Sequence, residues 1–106
     1  MPGFTVPKDA ADLNQILNNN KYVVIDFTAT WCGPCRMITP ILEQLSAKFE
    51  NVVFVKVDVD ELSDIAQEYA VRAMPTLYFM RDGEKVDDIV GANPGAITTK
   101  LQNLVA

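Results

Sequence analysis

A chain of 106 residues, 49% of them hydrophobic, is the size of one domain with one packed core. Its formal net charge is -5, with nine scattered Lys and Arg and no basic run, so no nucleic-acid surface is expected. Two cysteines and no histidine exclude Ser-His-Asp and Cys-His nucleophile systems, a Cys₂His₂ zinc site and, within one chain, a Cys₄ site.

The longest apolar runs are strand-sized, so no membrane span is expected. The N-terminus, Met1-Pro2-Gly3-Phe4-Thr5-Val6-Pro7, has no basic segment leading into an apolar one, and no secretory leader is expected. No linker, repeat or low-complexity stretch divides the chain, so residues 1–106 read as a single domain.

Phe4 to Val6 can add a short edge strand. Lys8 to Asn20 has Leu13, Ile16 and Leu17 at helical spacing, with Asp9 as its N-cap. Tyr22 to Thr28 is a β-branched and aromatic run, a strand buried on both faces. From about Pro34 to Phe49 a long helix shows Ile38, Ile41, Leu42, Leu45 and Phe49 on its apolar face, and Pro40 inside it should kink it. Val52 to Val57 is a second strand, and a helix near Leu62 to Tyr69 follows. The acidic residues Asp58, Asp60, Glu61 and Asp64 read as a solvated loop and helix start. Thr76 to Met80 and Lys85 to Val90 flank Asp82-Gly83, a hairpin signal, because tight turns need residues that tolerate positive φ. Asn93 caps a last helix, Pro94 suits its first position, and Ile97, Leu101, Leu104 and Val105 form its inner face. Strand–helix–strand implies parallel pairing with a right-handed crossover, and the hairpin adds antiparallel strands. The fold class is α/β, with a mixed central sheet and helices on both faces.

Cys32-Gly33-Pro34-Cys35 lies between a buried strand and a helix. The nucleophile in disulfide exchange is the thiolate. Unpaired N–H groups and the macrodipole at a helix N-terminus favour an anion by up to about 2 kcal/mol, or about 1.5 pKa units. That brings a thiol near neutrality. Cys32, before the helix, is the expected exposed nucleophile. Cys35, about one turn in, is expected to be more buried and to resolve the mixed disulfide. Gly33 permits a sharp turn, and Pro34 rigidifies the helix start. Two other readings stand beside this one. A purely structural disulfide over so short a ring would stabilise by only about 2 kcal/mol. Half of a metal site shared between chains would lack further ligands.

The segment Asp26-Phe27-Thr28-Ala29-Thr30-Trp31-Cys32-Gly33-Pro34-Cys35-Arg36-Met37 resembles the active-site motif of thioredoxins, especially eukaryotic cytosolic ones. Met74-Pro75-Thr76 and Gly91-Ala92 match that family in position and spacing, and the resemblance covers essentially the whole chain. It implies the thioredoxin fold, a central mixed sheet of about five strands flanked by four helices.

Asp26 stands in an otherwise apolar strand, where burial should raise its pKa. It is either a core Asp satisfied by backbone or, as the resemblance implies, a buried acid/base behind Cys35. Lys56, set among valines and Phe54, can tune Asp26 if the two strands are neighbours; otherwise it is an exposed edge Lys. The resemblance implies that Trp31 lies over the active-site surface and that the Met74-Pro75 bond is cis, opposite the cysteines. Gly91 would allow close backbone approach near the same surface, or is an ordinary strand-end Gly. Trp31, Gly33, Pro34, Met74, Pro75, Gly91 and Ala92 would then form an apolar docking patch for extended peptides. Met37 and Met80 read as plain core. Two departures stand out: Thr28 occupies a place where many bacterial thioredoxins carry Trp, and Ala73 one where some animal members carry an extra cysteine.

The activity implied is protein-disulfide reduction through Cys32 and Cys35. Thioredoxin reductase would recycle the chain, and the client classes would be ribonucleotide reductase, peroxiredoxins and methionine sulfoxide reductases. An oxidant or isomerase on the same fold, or a redox-inactive interaction module, are the alternatives. No Gly-rich nucleotide fingerprint follows a strand, so no cofactor is expected, and without His or further Cys no metal is expected. A cytoplasmic monomer is the expected form.

Overall fold

The computed structural model describes residues 3–106. Among these, five strands and four helices follow in order: β1 (Phe4–Thr5), α1 (Ala10–Asn19), β2 (Tyr22–Thr28), α2 (Gly33–Lys48), β3 (Val52–Asp58), α3 (Ser63–Glu68), β4 (Thr76–Arg81), β5 (Glu84–Val90) and α4 (Pro94–Val105). The strands form one sheet in the order β1-β3-β2-β4-β5. β3 runs parallel to both β1 and β2, whereas β4 is antiparallel to β2 and to β5. None of the helices is long and apolar enough to cross a membrane.

The element ends have local causes. The Asp9 side chain accepts the Asp12 N–H and starts α1, and Asn93 does the same for Ala96 and α4. Asp82 and Gly83 both have positive φ, 53° and 82°, as the two-residue turn between β4 and β5 requires. Pro40 lies inside α2, which continues past it to Lys48.

The single core read from composition is divided in two by the sheet. Alternation along β2 sends Val23, Ile25 and Phe27 into a cluster with Leu13 and Leu17 of α1 and Ile65 of α3. Val24 faces the other way, into a cluster with Ile38, Leu42 and Leu45 of α2 and Ile97, Leu101 and Leu104 of α4. Asp26 is in step with Val24, so it shares the α2 face of β2. Met80 is core as expected, but Met37 is 57% exposed. The inner face of α2 runs through Cys35, Ile38 and Leu42, and Met37 falls outside that stripe.

Candidate active site

The site is built where β2 ends and α2 begins. Cys32 is the N-cap of α2, with extended backbone (φ -90°, ψ 110°), and Gly33 and Pro34 are its first two residues. A disulfide joins Cys32 to Cys35, with Cα atoms 5.3 Å apart. The Cys35 N–H donates to Cys32 Sγ at 3.2 Å. One of the helix's free N–H groups is thus aimed at Cys32 Sγ, and such groups at a helix N-terminus favour an anion. The Thr39 hydroxyl donates to the Cys35 carbonyl at 2.9 Å and ties the first two turns together.

Burial corrects one expectation. Cys32 is not exposed in this oxidised state: it is 5% accessible and Cys35 2%. Both sulfur-bearing residues pack with Ala29, Val59 and Met74, which close over the pair. Only the order, Cys35 deeper than Cys32, follows the sequence reading.

Gly33 is corrected as well. Its φ is not in the left-handed region, and a Cβ there would meet nothing within 4 Å. The passage from extended backbone into the helix falls at Cys32. At Gly91 the requirement is conformational rather than one of close approach: φ is +103°, and again a Cβ would meet nothing within 4 Å. The Gly91 N–H donates to the Pro75 carbonyl at 2.8 Å, which fastens the end of β5 to the residue that opens β4. The Met74-Pro75 bond is cis. Met74 touches the cysteine cluster, Pro75 is buried, and half-buried Ala92 packs against the α2/α4 core.

Asp26 is 2% exposed, and among the described residues neither carboxyl oxygen has a hydrogen-bond partner. It is therefore not a core Asp satisfied by backbone. Burial pushes its pKa up from 3.8 to about 7, with the Lys56 charge pulling against that rise. Lys56 is its direct partner in the β2–β3 register, on an interior strand rather than an edge. Lys56 also lines a recess of about 280 Å³ with Thr28, Ala29, Thr30, Arg36, Thr39 and Asp58, beside the first turns of α2.

Trp31 is 62% exposed beside Cys32, and its indole N–H donates to Asp60 Oδ2 at 2.9 Å. In the sequence Asp60 reads as part of a solvated acidic stretch, and nothing there marks Val59. Their contacts come from residues about thirty positions away, a distance at which spacing carries no signal.

A helix-capping cysteine, an internal partner one turn on and a buried carboxyl group near neutrality can together pass between dithiol and disulfide. The thioredoxin family model matches residues 4–103. The chain is 54% identical over 98 residues to "Thioredoxin-2" of Pyricularia oryzae, covering 92% of this chain but only 55% of that relative's length. It is 50% identical over 97 residues to a thioredoxin of Coprinus comatus, covering 90% of this chain and 92% of that one. The crystal structure of Malassezia sympodialis thioredoxin superposes with a TM-score of 0.92 at 44% identity, covering 100% of this chain and 94% of the other. Motif, sheet order and these likenesses agree, and the chain belongs to the thioredoxin family.

Proposed function

We propose that this chain, a single domain over residues 1–106, reduces protein disulfides by dithiol–disulfide exchange. The observation that carries the reading is the disulfide at the α2 N-terminus, with the Cys35 N–H directed at Cys32 Sγ. The Cys32 thiolate attacks a client sulfur, and the other client sulfur leaves as a thiolate. The intermolecular disulfide is then attacked at Cys32 Sγ by Cys35, whose proton passes to Asp26. The client leaves with two thiols, and the chain keeps the two-electron oxidation as its own disulfide. A carboxyl group titrating at about 7 can take that proton and release it near neutral pH. Lys56 keeps its pKa from rising further.

Clients dock over Trp31, Gly33, Pro34, Met74, Pro75, Gly91 and Ala92. Exposed Trp31, followed closely in the chain by exposed Gly33 and Pro34, suits an extended peptide read through its backbone. The external reductant is thioredoxin reductase. Peroxiredoxins as a client class gain support from a structural neighbour with a TM-score of 0.91 at 41% identity, from work on thiol resolution in a yeast mitochondrial 1-Cys peroxiredoxin via glutathione/thioredoxin systems. Ribonucleotide reductase and methionine sulfoxide reductases are the other classes. The chain acts as a cytoplasmic monomer.

The test is a single turnover with a disulfide-bonded client. Reduced chain should yield two client thiols per molecule. Cys35→Ser should stop at a covalent chain–client adduct, cleaved by added dithiol. Retention of the chain's biological effect in Cys32→Ser would instead favour an interaction module.

A further inference from the structure

The turn between β3 and α3 touches both halves of the site. The Val59 N–H donates to the Thr28 carbonyl at 2.9 Å, which pins the turn to the end of β2. The Val59 side chain packs on the group formed by Ala29, Cys32 and Cys35. One residue later, Asp60 accepts the Trp31 indole N–H.

Asp60, Glu61 and Trp31 are all exposed, so water competes for that hydrogen bond. Its geometry therefore depends on how firmly the backbone at Asp60 is held. Asp58 supplies the hold. Its Oδ1 accepts the N–H of Asp60 at 2.8 Å and that of Glu61 at 3.2 Å, while its carbonyl accepts the Leu62 N–H at 2.9 Å. A side chain two residues upstream that collects successive N–H groups mimics a backbone turn and fixes its course.

We infer that Asp58 is a positioning residue for client docking: its carboxylate sets the turn that presents Asp60 to the Trp31 indole, and so fixes how the ring faces an incoming client. The inference deepens the reading of Trp31 as a docking residue and rests on it. Asp58 acts through Asp60 and Trp31, so its loss should weaken client capture more than the chemistry at the sulfurs.

The chain has one Trp and hence a single indole N–H resonance. In full-length Asp58→Ala that resonance should move, and its exchange with solvent should quicken. KM for a disulfide client should rise about three- to tenfold, the value of about one lost hydrogen bond, with kcat within about twofold. Asp58→Asn retains Oδ1 as an acceptor and should restore both readouts. Asp60→Ala should reproduce the Asp58→Ala behaviour, and it keeps the test open should Asp58→Ala not fold. Asp64→Asn removes a charge from the same acidic stretch, in the first turn of α3, and controls for charge alone. An indole resonance unmoved in Asp58→Ala, one moved as far by Asp64→Asn, or a moved resonance with unchanged KM overturns the inference. Absence of reductase activity in the unaltered chain would instead overturn the functional reading beneath it.

Discussion

Asp26 and Lys56 lie directly opposite each other in the parallel register of β2 and β3, on the face of the sheet that α2 covers. Two largely apolar strands thus bring one carboxyl and one ammonium group beneath the helix that Cys32 caps. The pair is unequal: Asp26 is buried and Lys56 half-buried, and for Asp26 desolvation outweighs attraction.

The raised pKa of Asp26 makes stability depend on pH with a definite sign. Below 3.8 the carboxyl is neutral in both the folded and unfolded chain. Between 3.8 and about 7 only the unfolded chain ionises, so stability falls as pH rises. Above about 7 the folded chain carries a buried charge, and the loss levels off at no more than about 4 kcal/mol. Asp26→Asn lacks this loss. Urea unfolding at pH 4, 6 and 8 (about two pH units apart, to span the transition) should show the variant gaining on the parent by a few kcal/mol as pH rises. A constant difference across the series would contradict the assignment.

If Asp26 takes the proton of Cys35 as proposed, Asp26→Asn should also slow the resolving step. Stopped-flow decay of the mixed disulfide at neutral pH should be about 10- to 100-fold slower, with attack by Cys32 less affected. Lys56→Met should move the carbon titration of Asp26 upward, since the charge that lowers its pKa is gone.

Much of this arrangement is legible in the sequence. The run Tyr22 to Thr28 forms a strand with those bounds, Asp9 and Asn93 cap the helices they precede, and Asp82-Gly83 turns the hairpin. These are local signals, set by side chains within a few residues of the backbone they organise. What spacing does not carry is long-range burial. Cys32 precedes its helix and so reads as exposed, but Val59 and Met74, distant in sequence, cover it. Met37 sits in an apolar-looking helix yet faces solvent, because the inner stripe of α2 is filled by other residues. Asp60 gave no sign of its bond to Trp31.

The two site glycines should respond differently to alanine. At Gly91 a Cβ meets no atom within 4 Å, but φ is +103°, so Gly91→Ala should cost about 1–3 kcal/mol through backbone strain alone. Gly33→Ala at the exposed helix start should change stability by less than about 1 kcal/mol. Thermal unfolding of the two variants side by side checks the contrast.

Phe27 is fully buried and packs tilted against Tyr69 and edge-on against Tyr78, at ring-centroid distances of 5.6 and 5.3 Å. Phe27→Ala should destabilise by about 3–5 kcal/mol in denaturant unfolding. Because the ring lies on the face opposite Asp26, the pKa of Asp26 should stay near its parent value in the fraction that remains folded.

The most direct measurement is a titration of the protein in defined thiol–disulfide buffers, following Trp31 fluorescence and counting thiols in parallel. The lone Trp adjoins Cys32 in sequence, and its emission should follow the state of the pair. A reversible two-electron transition with its midpoint well below a glutathione poise of about -220 to -260 mV is the predicted result for a disulfide reductase. A midpoint near or above about -180 mV would make the chain a disulfide donor, and no reversible change in thiol count would show that the Cys32–Cys35 pair is not a redox centre.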